Sequence, residues 1–432
     1  MSRSEKNKFK KIKRKKIFKN LFLGLFILLL SSSISILNFS KNTKNLNQNI
    51  SYNKTQNESI IKNTNEAISK VYLNTVGDIM VHNPQLKAQF DLSTKSYSFA
   101  NNFKYVKKYI ESSDLSIANL ETTLAGPSTP YTSYPSFNSP DALVDALKFS
   151  GVDILSTINN HSFDKGDLGV ERTLAISKEK GFDTVGTIEN ENDPNYLIKD
   201  INNIKLGITS YSYGEIKNNI KYLNGIAVSN KSKDKMNIFD MYNVDNAFNT
   251  INKTLNKLSS TDIQIVIIHW GNEYQRTASE FQVKLAQKLS DAGVDIIVGS
   301  HPHVVQPVEM IKSTDGKHDT LVIYSLGNFL SNQRKELLGS DFTEDGLMAE
   351  IEITKNMGTN ETNISKANFI PTWVNKYRVS GRDVYEIIPI SNKNDLSTIE
   401  NLPLDNAKTS FNNTISQIKT NNILTVPKNP FE

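Results

Sequence analysis

Residues 295–303 read Asp-Ile-Ile-Val-Gly-Ser-His-Pro-His. A short apolar, β-branched run stops on a glycine and a serine, then presents two imidazoles on either side of a proline. Such a run suits a strand buried on both faces, as in a parallel sheet. In open α/β sheets ligands bind beyond the carboxyl ends of the strands, so the residues after Val298 are where chemistry belongs. On a segment read as extended, His301 and His303 at i and i+2 point to one side, and Pro302 between them limits the backbone.

The same arrangement recurs outward along the chain. A strand over 71–79 closes on Gly77-Asp78 and reaches His82, and one over 115–120 carries Asn119 and runs into Glu121. A strand over 153–158 leads to Asn159-Asn160-His161 with Asp164 behind it, and one over 264–269 ends in His269-Trp270-Gly271-Asn272-Glu273. Of the six histidines, five lie at these strand ends and only His318 does not. Further strands are read over 205–210 and 321–326, and helices over 99–112, 141–149, 168–180, 245–258 and 279–292. The late strands 347–353, 368–373 and 384–390 have no helix between them, which predicts antiparallel pairing at the end of a mixed sheet. A weak helical period covers 405–418. Strands alternating with helices before that antiparallel run define an α/β fold.

The formal charge of +5 conceals a division. Ten Lys/Arg and one Glu lie before residue 20, so that segment carries +9 and the rest sums to −4. A mildly acidic body does not suit a nucleic-acid backbone, so no nucleic-acid partner is expected. The absence of cysteine excludes disulfides, thiolate metal sites and cysteine nucleophiles. After the basic segment 1–19 comes an apolar run without charge, 20–37, close to the length of a membrane-spanning helix. A cleaved secretory signal is the rival reading, but no small-x-small site follows the run, so it is read as an anchor. The basic flank then stays in the cytoplasm, which predicts a single-pass cell-membrane protein with an extracellular main domain. Residues 38–69, rich in Asn, Lys, Ser and Thr, read as a flexible linker spanning roughly 30 Å.

The polar residues at the strand ends are the donor types of a dinuclear centre. Two divalent cations need a bridging carboxylate, further oxygen or nitrogen ligands, and room for water and substrate. Imidazole, carboxylate and amide oxygen without thiolate suit two ions of Mn, Fe or Zn. Taken singly, Asp78 would read as a turn or helix cap, Glu121 as a surface carboxylate and His269 as a core histidine. Asn159 and Asp164 read as loop-fixing residues, and Trp270 and Phe329 as core.

Six blocks resemble the poly-γ-glutamate capsule synthesis (CapA) family, a branch related to calcineurin-like metallophosphoesterases. They are Gly77-Asp78-Ile79-Met80, Ala118-Asn119-Leu120-Glu121, Asn159 to Gly166, His269 to Tyr274, Gly299 to Gln306 and Tyr324 to Phe329. The resemblance covers about 70–392, which sets a domain over 70–392 and leaves 393–432 as a C-terminal tail packed on it. It implies a four-layer α/β sandwich of two mixed β-sheets flanked by helices. It also implies Asp78 and His303 on a first metal, Asn160, His269 and His301 on a second, and Glu121 bridging where relatives usually place Asp. His161 would be the general acid, and His82, Glu273 and Asn328 would line the substrate pocket. The relatives' usual Asp-x-His is here Asp78 with His82 four residues on. Two functions follow from the resemblance: a membrane-anchored role in capsule polymer synthesis or export, or metal-dependent phosphoester hydrolysis on a cell-envelope substrate. The first brings membrane synthase subunits and the anionic polymer as partners.

Overall fold

The computed structural model describes residues 67–432. The basic segment, the apolar run and the linker up to residue 66 lie outside the described residues. In chain order the strands begin β1 (Ile68–Ile79), β2 (Phe90–Asp91), β3 (Ser96–Tyr97), β4 (Leu115–Leu120), β5 (Ile154–Ser156), β6 (Asp183–Val185) and β7 (Leu197–Ile201). Next come β8 (Ile204–Lys217), β9 (Ile220–Leu223), β10 (Ile226–Ala227), β11 (Ile238–Asp240), β12 (Ile263–His269), β13 (Ile296–Ser300) and β14 (Val308–Lys312). The last are β15 (Asp319–Ile323), β16 (Asn328–Leu330), β17 (Asp345–Asn356), β18 (Thr362–Val379), β19 (Arg382–Pro389) and β20 (Leu424–Thr425).

These strands build two mixed nine-stranded sheets and one small hairpin, β2–β3. Sheet one runs β19-β18-β17-β1-β4-β5-β6, with β16 on β1 and β20 on β18. Sheet two runs β10-β9-β8-β12-β13-β15-β14, with β7 and β11 on β8. The late strands pair antiparallel, as their sequence predicts: β1 with β17, β17 with β18, and β18 with β19.

Strand parity explains the layers. Ile263, Ile265 and Ile267 of β12 face Val71 and Leu73 of β1 in one shared core, whereas Val266 and Ile268 pack on the other side. There they meet Ala247 and Ile251 of the helix Val244–Leu255 and Leu285 and Leu289 of the helix Glu280–Asp291. On the far face of sheet one, Val76, Ala118 and Leu120 pack against Phe103, Ile110, Leu143 and Leu147. The order is therefore helix, sheet, sheet, helix, because side chains in a strand alternate faces. Each fully buried Leu, Ile or Phe contributes about 1.5–3 kcal/mol, so the central layer carries much of the stability.

Two expectations need correction. The helix read over 99–112 is two single turns, Ala100–Phe103 and Lys107–Ile110. Asn102, in the first turn, is buried and its Nδ2 donates to the Tyr385 carbonyl of β19 at 2.5 Å, which ties that turn to the sheet. The strand read over 205–210 continues to Lys217. Leu396, Ile399 and Phe411 beyond residue 392 pack with Trp373 and Ile388 in one buried cluster, and β20 adds a parallel strand to β18. Among the described residues no helix is long and apolar enough to cross a membrane.

Candidate metal centre

The carboxyl ends of β1, β4, β5, β12 and β13 converge, and six side chains meet there fully or almost fully buried: Asp78, Glu121, Asn160, His269, His301 and His303. β1 reaches this point because Gly77 allows close approach. A Cβ there would lie 2.1 Å from the Gly327 carbonyl oxygen, which accepts the Asp78 N–H at 3.0 Å. The loop after β13 is not extended. His301 and His303 have φ of 99° and 56°, so the chain doubles back around Pro302 to turn both rings inward. Positive φ at non-glycine residues costs of order 1–3 kcal/mol and persists where surroundings over-determine it, often at functional sites.

Potential ligand atoms of Asp78, Glu121 and His269 lie within 4.8 Å of one another, and so do those of Glu121, His301 and His303. Glu121 belongs to both groups. His303 Nδ1 also lies 3.3 Å from Asp78 Oδ2, and His269 Nε2 lies 2.8 Å from Asn160 Oδ1. The groups cut across the division implied by the family resemblance, which places His303 with Asp78 and His301 with His269.

The polar atoms of the cluster are unevenly partnered. Both Glu121 oxygens and His301 Nδ1 are buried without a hydrogen-bond partner. An unpaired buried polar group costs about 1–3 kcal/mol, more when charged, so these orphans fit a cation they would ligate. Burial, then the charge of Asp78, pushes the Glu121 carboxyl well above its usual range. Burial pushes His269 down to about 3, and burial with the neighbouring imidazoles pushes His301 well below its ordinary value. Both rings are thus neutral, the form that can ligate a metal. At His303 burial opposes protonation but the Glu121 and Asp78 carboxylates outweigh it, raising the ring to about 9. Burial works against the Asp78 charge too, yet the His303 hydrogen bond, the imidazole charges and Asn119 hold its carboxyl below the usual range.

His161 stands apart from both ligand groups. Its Nδ1 lies 2.8 Å from Asp164 Oδ2, which also accepts the Phe137 N–H at 2.6 Å. Asp164 thus does more than fix the loop: it holds the imidazole by Nδ1, the geometry of a ring with its orienter. Asn159 does fix the loop, donating to the Leu120 carbonyl and accepting the His161 N–H. His82 lies outside both ligand groups. Its Nδ1 accepts the Asn332 N–H, its ring meets Phe137 edge-on, and burial lowers it to about 4. Glu273 is exposed. Asn328 is fully buried, with Oδ1 3.1 Å from His303 Nδ1 and Nδ2 donating to Thr343 and His303 carbonyls, so its carboxamide holds His303.

Several contributors escaped the sequence reading. Asn119 Nδ2 donates to Asp78 Oδ1 at 2.7 Å, and Ser300 Oγ lies 2.8 Å from His269 Nδ1. Both sit inside quoted blocks, so their place at strand ends was the available signal. Tyr213, whose ring centre lies 4.7 Å from that of His301, and Asn224 come from stretches with no such signal.

Comparison with known proteins places the chain in a family. The family described as "Bacterial capsule synthesis protein PGA_cap" matches residues 72–333. The capsule biosynthesis protein CapA of Bacillus anthracis is 28% identical over 66% of this chain and 65% of its own length, just under two thirds. The PGA biosynthesis protein CapA of Bacillus subtilis (strain 168) is 28% identical over 74% of this chain and 73% of its own. Among solved structures, a novel phosphatase from Mycoplasma pneumoniae is 16% identical with a TM-score of 0.41, covering 71% of this chain and 94% of that one. The calcineurin-like phosphoesterase YfkN from Bacillus subtilis is 16% identical with a TM-score of 0.38, covering 81% of this chain and 98% of that one. At those TM-scores neither likeness carries an argument. The matched stretch takes in more than half of the sequence and every strand end that feeds the buried cluster, and the chain belongs to the bacterial capsule synthesis protein (PGA_cap) family.

Proposed function

We propose that the protein acts in synthesis or export of capsule polymer, poly-γ-glutamate, as an extracytoplasmic domain anchored by residues 20–37, and that its centre hydrolyses a phosphoester or related bond. The capsule role is supported by the names of the two CapA relatives, and the anchor by the basic flank before an uncharged apolar run. Membrane subunits of a polymer synthase and the anionic polymer are the partners this role brings. One observation carries the hydrolytic reading: Glu121 is shared by two buried ligand groups while both its oxygens lack partners.

In this reading Asp78, Glu121, Asn160, His269, His301 and His303 hold two ions of Mn, Fe or Zn. Bound there, such ions polarise a phosphoryl oxygen and lower the pKa of water. The chain's own part is to position and to move a proton. Asn119 and Ser300 orient Asp78 and His269, and Asn328 orients His303. Nε2 of His161, aimed by Asp164, donates a proton to the leaving oxygen. His82 and exposed Glu273 border the substrate side, with Tyr274 beside Glu273 and its ring centre 6.2 Å from that of His303.

Full-length protein from the membrane fraction is expected to carry between about one and two equivalents of metal and to hydrolyse at least one compound in a phosphoester screen. Recovery only in the cytosol overturns the anchor. A protein that binds no divalent metal after reconstitution overturns the hydrolase and leaves the capsule role as an accessory one.

A further inference from the structure

β9 and β10 form a hairpin whose two-residue turn is Asn224-Gly225, with φ of 45° and 73° and Leu223 opposite Ile226. An Asn-Gly pair with positive φ at both positions is the favoured tight hairpin connection, and the turn alone would account for the residue. The side chain does something the turn does not require. Asn224 Oδ1 accepts from Asn160 Nδ2 at 3.1 Å, and Asn224 Nδ2 lies 3.3 Å from His161 Nδ1.

An amide has one end that can ligate a cation, its oxygen, and one that cannot, its NH2. Asn160 must therefore be held with oxygen inward. Its Oδ1 faces His269 Nε2 at 2.8 Å, and the outward NH2 donates to Asn224. Among the hydrogen bonds of the described residues, the one to Asn224 is the only one in which Asn160 Nδ2 takes part. We propose that Asn224, delivered by a hairpin of sheet two to a loop of sheet one, is a positioning residue of the metal centre. It fixes the Asn160 carboxamide with its oxygen toward the ligand cluster and flanks the imidazole of His161. This rests on the metal reading of the centre.

Asn224→Gly keeps a turn residue that tolerates positive φ and removes the amide; Asn224→Asp keeps the turn and the acceptor. Ile226→Ala changes an exposed side chain of the same hairpin and serves as the control. Full-length proteins are stripped with chelator, melted, and titrated with Mn²⁺ and Zn²⁺. The Gly variant is expected to bind about 10–100-fold more weakly, the range for losing a partner that orients a ligand. The Asp variant is expected to hold or exceed wild-type affinity, and the control and all stripped melting temperatures to stay at wild type. If wild type binds and the Gly variant binds equally well, or if the Asp variant weakens with it, the role of Asn224 is overturned while the centre stands. A lowered melting temperature of the stripped Gly variant assigns Asn224 to the turn alone and overturns it likewise. If wild type itself binds neither ion, the metal reading falls and takes this inference with it.

Discussion

The two sheets contribute unlike chemistry to one point. Sheet one brings Asp78, Glu121 and Asn160, all oxygen donors, whereas sheet two brings His269, His301 and His303, all nitrogen donors. Each half keeps a partner of its own, Asn119 on Asp78 and Ser300 on His269, but the contacts between carboxylate and imidazole, such as His303 with Asp78, cross from one sheet to the other. His161, which stands apart from the ligand groups, comes from sheet one and has its own carboxylate, Asp164, 2.8 Å away. The contrast teaches that the buried cluster is a property of the interface between the sheets, while the His161–Asp164 pair is local to one loop. Metal binding should then couple the sheets, and proton transfer should be removable without disturbing that coupling.

The sharpest way to break this division is to empty one side. His301→Ala with His303→Ala removes two of sheet two's three ligands, and the purified double variant is expected to lose most of its metal and all hydrolytic turnover. Unchanged metal content by elemental analysis would refute the shared centre. A smaller effect is expected from the local pair. His161→Ala should keep metal and melting temperature yet lose roughly 10²–10⁴-fold in hydrolytic rate. In cells it should also impair capsule polymer if hydrolysis is the biological task. Normal polymer with His161→Ala, but none with Asp78→Ala, would favour the accessory role. The smallest effect sharpens the contrast through a carboxylate of sheet one that no imidazole faces. Burial raises Asp345 to about 7 despite Ser410 and Asn413, against about 3.9 in an unfolded chain. The folded state therefore binds the extra proton between about pH 4 and 7, so this group's contribution to stability falls as pH rises through that window. Asp345→Asn should gain on wild type in urea midpoint from pH 5 to pH 8; parallel profiles would dismiss the effect.

Much of this was legible because period and strand-end chemistry coincide. β4 matches its reading residue for residue, and the helices after residue 140 lie within three residues of theirs, since apolar periodicity reports burial directly. Five histidines drew attention to the right strand ends for the same reason. What stayed hidden depends on tertiary neighbours. β8 continues through Tyr211-Ser212-Tyr213, polar enough to read as a strand's end, because pairing with β11 and β12 supports it there. Asn224 lies at a turn whose sequence announces only a turn. The inward hook of His301 and His303 depends on distant neighbours too: the His301 N–H donates to Asp78 Oδ2 at 3.1 Å, from a residue far away in the sequence.

β1 lies in the middle of sheet one, with Ile68 opposite Asn356 and Leu73 opposite both Ile351 and Leu115. During synthesis that strand emerges first and one of its two edges waits until almost the whole chain has followed. The stretch matched by the family, 72–333, ends before β17 begins and so leaves out the strand that pairs with β1. A nascent chain stalled near residue 333 would leave the β17-facing edge of β1 open to its neighbours.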